Sequence, residues 1–145
     1  MTPRRARLCR LPTFADQAKA FGCVDAILHR LAEGWVHAIQ GEPVFRNPAD
    51  ETWYSAAPAL EGWIDLWQRL DTHHRLGLDL APLRHLAKQL AYGSPIHPER
   101  VARCAEIVKT CKRAYRKMDV FEVGRIVRTE MIAQQLAQQP PGARP

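Results

Sequence analysis

Lys109, Lys112, Arg113, Arg116 and Lys117 recur at i, i+3, i+4, i+7 and i+8. On an α-helix that spacing stacks five cations along one stripe. Cationic side chains in a row suit one kind of chemistry best, contact with a run of phosphates, each contact releasing condensed counterions. On the other side of the same segment, Val101, Cys104, Val108, Cys111, Tyr115 and Met118 alternate at steps of three and four, the period of a buried helical seam. One face is patterned to dock on protein and the other to present charge. Arg100, Arg103, Arg125 and Arg128 add cations to the same region, and Arg4, Arg5, Arg7 and Arg10 make the start of the chain basic. The local acids are Glu99, Glu106, Asp119, Glu122 and Glu130. A merely solvated face would carry the same residue types, so charge clustering alone supplies the nucleic-acid reading.

Other residue types offer less. The histidines His29, His37, His73, His74, His85 and His97 fall in no His-x-x-x-His or Glu-x-x-His pattern, and the adjacent pair His73-His74 is expected to point to different sides of a helix. The cysteines Cys9, Cys23, Cys104 and Cys111 contain no Cys-x-x-Cys pair. Cys104 and Cys111 would sit about 10 Å apart along a helix axis, too far to bridge. Ligand spacing therefore supports no metal site. Cys104 and Cys111 lie on the buried stripe, where thiols are inert, and Cys9 lies on the basic arm, a poor place to hold a catalytic group. Glu61 and Asp65, four apart, would share a helix face, but no third group completes an acid–base or metal constellation. Gly22, Gly34, Gly41 and Gly62 are isolated, so no phosphate-cradling loop is present. No enzyme and no cofactor are expected.

Composition bounds the rest. The 145 residues suffice for one domain with a real core. With 46% apolar and 25% charged residues the chain has globular composition. The net charge is +6, which favours anionic partners: nucleic acid, an acidic protein face or an anionic surface. The 21 basic residues are 16 arginines and 5 lysines, and Asn47 is the single asparagine. That bias suggests a GC-rich bacterial or phage genome, such as a mobile element, rather than chemical selection of arginine. The first ten residues carry charge with no apolar run after it, and no stretch approaches a membrane span. A reduced, cytoplasmic protein is expected.

Periodicity then places these residues on elements. Residues 1–12 read as a basic flexible arm. A first helix spans about 14–33, opened by Thr13 and Asp16 as a capping pair and closed by Gly34, burying Phe14, Phe21, Val24, Ile27, Leu28 and Leu31. Trp35–Ile39 and Val44–Arg46 form an antiparallel hairpin around a turn at 40–43, with a third strand at 52–54. Pro58 suits the first turn of a helix over about 58–71, whose apolar face is Leu60, Trp63, Ile64, Trp67 and Leu70. A third helix runs over about 79–92 with Leu83, Leu86, Ala87 and Leu90 inward, ended by Gly93. Pro98 opens the basic helix, 98–118. Asp119 and Glu122 form a capping box for a last helix, 120–138, burying Val120, Val123, Val127, Met131 and Leu136, although 98–138 as one bent helix remains open. Residues 139–145 read as a disordered tail. The four tryptophans are dense for this length. Trp63 and Trp67 have the spacing of a core face rather than of a base-stacking platform, and Trp35 and Trp53 are expected to face each other across the hairpin.

The fold is thus expected to be mainly α, about five helices around one core in 13–138, with a small antiparallel β-hairpin after the first helix. Leu83-x-x-Leu86-Ala87-x-x-Leu90 resembles the first helix of a helix-turn-helix motif, which would make the basic helix the recognition helix and the hairpin a wing. The linker is longer than the motif's usual three or four residues and carries two prolines. The expected function is nucleic-acid binding, DNA more than RNA, through the cationic helix with the arm clamping alongside. The alternative is a protein–protein adaptor that sets the basic helix against an acidic partner, with the helix at 120–138 as a homodimer or partner surface.

Overall fold

The structure is a computed structural model that describes residues 17–34, 37–39, 42–46, 51 and 53–138. The basic arm with Arg4, Arg5, Arg7 and Arg10, the capping pair Thr13/Asp16, Phe14, Trp35 and the tail 139–145 lie outside the described residues.

Five helices and a three-stranded sheet follow the chain in the expected order. Helix α1 (Gln17–Ala32) leads to β1 (His37–Ile39), β2 (Glu42–Arg46) and β3 (Trp53–Ser55), then α2 (Ala56–His74), α3 (Ala81–Tyr92), α4 (Pro98–Tyr115) and α5 (Val120–Gln138). The fold is mainly α with a small antiparallel sheet after the first helix.

The strand order is β1-β2-β3, both pairs antiparallel. Glu42 and Pro43, expected in the turn, belong instead to β2, with Ile39 opposite Glu42 and Ala38 opposite Pro43. A proline is tolerated in this middle strand because the β3 ladder ends at the Val44–Ser55 pair, so Pro43 sits beyond it and is an edge position on that side. The cross-strand partners Phe45 and Tyr54 stack at 5.9 Å and are both buried. The sheet packs on α1, α2 and α3, the core side of the molecule.

Helix α2 is the centre of the core. Leu60, Trp63, Ile64, Trp67 and Leu70 are all fully buried on it. It begins two residues before Pro58 and runs on to His74, and Pro58 still falls in the first turn, where its missing N–H costs nothing. Phe21 of α1 joins three helices through its ring, 6.0 Å from Trp63, 5.7 Å from Trp67 and 5.9 Å from Tyr115 of α4. Helix α2 packs on α1, α3 and α5, and α4 packs on α1 and α3. The inward face expected for α3 is the observed one, Leu83, Leu86, Ala87 and Leu90. Of the stripe expected for α4, Val101, Cys104, Val108 and Cys111 are buried, whereas Tyr115 and Met118 are only partly so and Met118 lies beyond the end of the helix.

The ends follow local chemistry. Gly34 and Gly93 take the left-handed conformation after α1 and α3. At the end of α3, Gly93 and Ser94 return their N–H groups to Leu90 and Gln89. Asp79 accepts a hydrogen bond from Ala81 N at the start of α3, and His97 Nδ1 accepts one from Glu99 N at the start of α4. Helices α4 and α5 are separate, because Asp119 Oδ1 accepts hydrogen bonds from Phe121 N and Glu122 N and starts a new helix. The basic helix itself ends at Tyr115, leaving Arg116 and Lys117 in the turn between α4 and α5.

The last helix departs most from expectation. Val123 and Val127 are buried and Met131 partly so, but Val120 is 69% exposed and Leu136 44% exposed. Glu130 takes the buried place instead, at 7% exposure. It pairs with Arg69 of α2, and Gln134 bridges Glu130 to Gly62 O. The seam between α2 and α5 is therefore part polar.

Candidate functional site

The five cations of the stripe are not equivalent. Lys112 is turned toward α1: its Nζ lies 2.6 Å from Asp25 Oδ2 and 5.9 Å from the centroid of the Phe21 ring. It stands at the edge of the α1–α4 seam and is half-buried. Lys109 Nζ is 3.1 Å from Glu106 Oε1 on its own helix, a surface pair worth little. Arg113, Arg116 and Lys117 are exposed, and no carboxylate among the described residues pairs with them. Arg113 Nη2 donates to Thr110 Oγ1 at 3.2 Å. The unneutralised charge is thus concentrated at the C-terminal end of α4, where the helix dipole itself favours cations.

The remaining cations expected to join the face are spread over other places. Arg100 and Arg103 line an open hollow of about 420 Å³ near the start of α4, together with Pro82, His97 and Glu99. Arg125 and Arg128 are both exposed on α5. They lie between Phe121 and Ile132 on one side of that helix, since 121, 125, 128, 132 and 136 step by four, three, four and four. That side presents Phe121 at 85%, Ile132 at 57% and Leu136 at 44% exposure.

The alternatives weighed in the sequence find plain roles. Trp63 and Trp67 are fully buried, and their indole N–H groups have no hydrogen-bond partner among the described residues; neither ring can stack on a base. Glu61 is exposed, and Asp65 accepts from Arg84 Nη2 of α3 at 3.0 Å. That ion pair links α2 to α3. Burial pushes the Cys104 thiol up to about 11, against a smaller opposing effect of Arg100 and Arg103. Burial, aided by the Asp71 carboxylate, pushes Cys111 up to about 12. Both are protonated and unreactive at neutral pH.

One arrangement was invisible in the spacing. A cavity of about 440 Å³ opens between α2 and α5, lined by Gln68, Arg69, Thr72, His73, Glu122, Arg125, Ile126 and Thr129. At its edge His73 Nε2 lies 2.5 Å from Glu122 Oε1, and His74 Nε2 lies 3.9 Å from the same oxygen. The two adjacent imidazoles were expected to diverge. At the last turn of α2 they instead converge on Glu122, with ring centroids 5.1 Å apart. Glu122 does not complete the capping box expected of it, because its carboxylate is drawn across to α2. No local pattern could have found this group, since its third member comes from α5, 48 positions beyond His74.

No family model matches this chain, and neither a curated protein nor a solved structure matches it.

Proposed function

We propose that the protein binds nucleic acid through the C-terminal end of α4, with Arg113, Arg116 and Lys117 as the principal phosphate contacts and Lys109 as a secondary one. The observation that supports this reading is the concentration of three exposed cations within five residues with no acidic partner among the described residues. A net charge of +6 supplies the long-range attraction. Lys112 is assigned to the α1 seam rather than to the ligand. The basic arm would add contacts beside this cluster, DNA being favoured over RNA, and a reducing cytoplasm of a bacterium or phage host suits the protonated Cys104 and Cys111 thiols.

The test is a fluorescence-anisotropy titration with mixed-sequence duplex DNA and with single-stranded RNA. Three phosphate contacts give a slope of about −2.7 for log affinity against log salt on duplex DNA. Affinity should then fall roughly 40-fold between about 50 and 200 mM salt. An Arg113→Gln/Arg116→Gln/Lys117→Gln variant should flatten that slope. Absence of binding to either nucleic acid at low salt sinks the reading.

A second reading is an adaptor that docks an acidic protein. It is favoured by the exposed side of α5, where Phe121, Ile132 and Leu136 alternate with Arg125 and Arg128. Large exposed apolar residues flanked by one sign of charge suit a partner with apolar residues bordered by carboxylates. Pairing of two α5 helices as a homodimer would bring these arginines toward one another, which disfavours it.

A further inference from the structure

We propose that His73, His74 and Glu122 bind a divalent transition-metal ion of the zinc class at the mouth of the α2–α5 cavity. This goes beyond the nucleic-acid reading and does not depend on it.

The ligand atoms of the three side chains all lie within 4.8 Å of one another. A tetrahedral zinc ion bound at about 2.0–2.1 Å sets its ligand atoms about 3.3 Å apart. The observed separations from Glu122 Oε1, 2.5 Å to His73 and 3.9 Å to His74, bracket that edge.

Donor chemistry selects the metal. Two imidazole nitrogens and one carboxylate oxygen are the donors of zinc and its neighbours, whereas Mg²⁺ and Ca²⁺ require oxygen shells. Three protein ligands leave a further coordination position, and the cavity of about 440 Å³ beside Glu122 provides room for it.

A second observation points the same way. His74 Nε2 is buried and has no hydrogen-bond partner among the described residues, although it faces the Glu122 carboxylate. A buried nitrogen without a partner loses its hydration with nothing in return. A bound ion would satisfy this nitrogen. Both histidines also sit in the last turn of α2, whose dipole is negative there and favours a cation.

The opposing charges are identifiable. Arg69 lines the cavity but is paired with Glu130. Arg125 also lines it, with no acid partner among the described residues, so it lowers the affinity of the site for a cation. This repulsion gives the proposal a signature that a purely structural histidine–carboxylate contact lacks.

The experiment is calorimetric titration of the metal-stripped full chain with Zn²⁺. One equivalent should bind with micromolar or tighter affinity. Glu122→Gln and His74→Gln, each checked for native circular dichroism, should weaken binding at least tenfold, and Arg125→Gln should tighten it severalfold. Mg²⁺ and Ca²⁺ should not bind. Cobalt substitution reads the donors in the wild-type chain, independently of any variant's folding. Visible d–d bands without thiolate-to-cobalt charge transfer support the proposal. Absence of zinc binding, binding unchanged in the Glu122 and His74 variants, or a thiolate band each overturns it.

Discussion

Lys112 Nζ and Asp25 Oδ2 lie 2.6 Å apart across the junction of α4 and α1, with the ammonium 5.9 Å from the centre of the Phe21 ring. The contact ties the basic helix to the first helix above the aromatic group that joins α1, α2 and α4. It also divides the cationic stripe, holding one member against the protein while its neighbour Arg113 faces solvent.

That division predicts separable phenotypes. Lys112→Gln removes a half-exposed ion pair and a cation–ring contact, so stability should fall by about 0.5–1 kcal/mol, while the salt slope of nucleic-acid binding stays near that of the wild type. Arg113→Gln should do the reverse, leaving denaturant midpoints close to wild type and reducing the magnitude of the slope by about 0.9. Urea melts and anisotropy titrations on the two variants decide the matter. Equal loss of slope in both would mean that Lys112 leaves Asp25 to meet the ligand.

The α2–α3 turn carries a correctable strain. Arg75 has φ 54° and ψ 51°, a left-handed conformation that costs a side-chain-bearing residue about 1–2 kcal/mol. The turn holds it there because Leu76 N donates to Asp71 O and Leu78 N donates to Asp71 Oδ1. Arg75→Gly should therefore stabilise the protein by about 1 kcal/mol, less the entropy a glycine gains in the unfolded chain. A lowered urea midpoint would show that the Arg75 side chain makes a compensating contact.

Alkaline pH should destabilise the fold through its buried thiols. Cys104 and Cys111 rise from 9.0 to about 11 and about 12 on folding. Below pH 9 both thiols are protonated in either state, and their contribution is fully present. Above pH 9 the unfolded chain ionises first, so stability falls as pH climbs toward the folded values, by up to about 1.4 kcal/mol per thiol per pH unit. Stability curves at pH 8, 9 and 10 on the wild type and on Cys104→Ala/Cys111→Ala check this, the variant losing less between pH 9 and 10. Cys104 and Cys111 should also resist maleimide at pH 8 in the folded chain and react on unfolding.

Helix α5 should show two kinds of apolar residue. Val127→Ala, at a 2% exposed position against α2, should cost about 1.5–3 kcal/mol. Ile132→Gln and Leu136→Gln should change stability by only about 0.5 kcal/mol. If those two substitutions leave folding intact but abolish capture of an acidic partner, the adaptor reading gains its interface. If they destabilise as much as Val127→Ala, α5 buries that side against residues outside the described ones.

The order and type of the elements were legible in the sequence because each rests on local chemistry. The Leu60, Trp63, Ile64, Trp67, Leu70 face, the stop at Gly93, the start at Pro98 and the cap at Asp119 are each written within a few residues and hold in the fold. Period alone also assigned Cys104 and Cys111 to the core. What local pattern could not decide was which solvent-side positions another element covers. Val120 and Leu136 fit an apolar helical repeat but stay exposed among the described residues, whereas Glu130 is a charged residue in that repeat and is buried where Arg69 of α2 meets it. Lys112 belonged to a charge stripe until Asp25, 87 residues earlier, was brought against it. His73, His74 and Glu122 form a group solely because α5 lies along α2. Periodicity records what one helix offers to its surroundings; long-range packing determines which of those groups meet a partner, and only tertiary structure supplies that pairing.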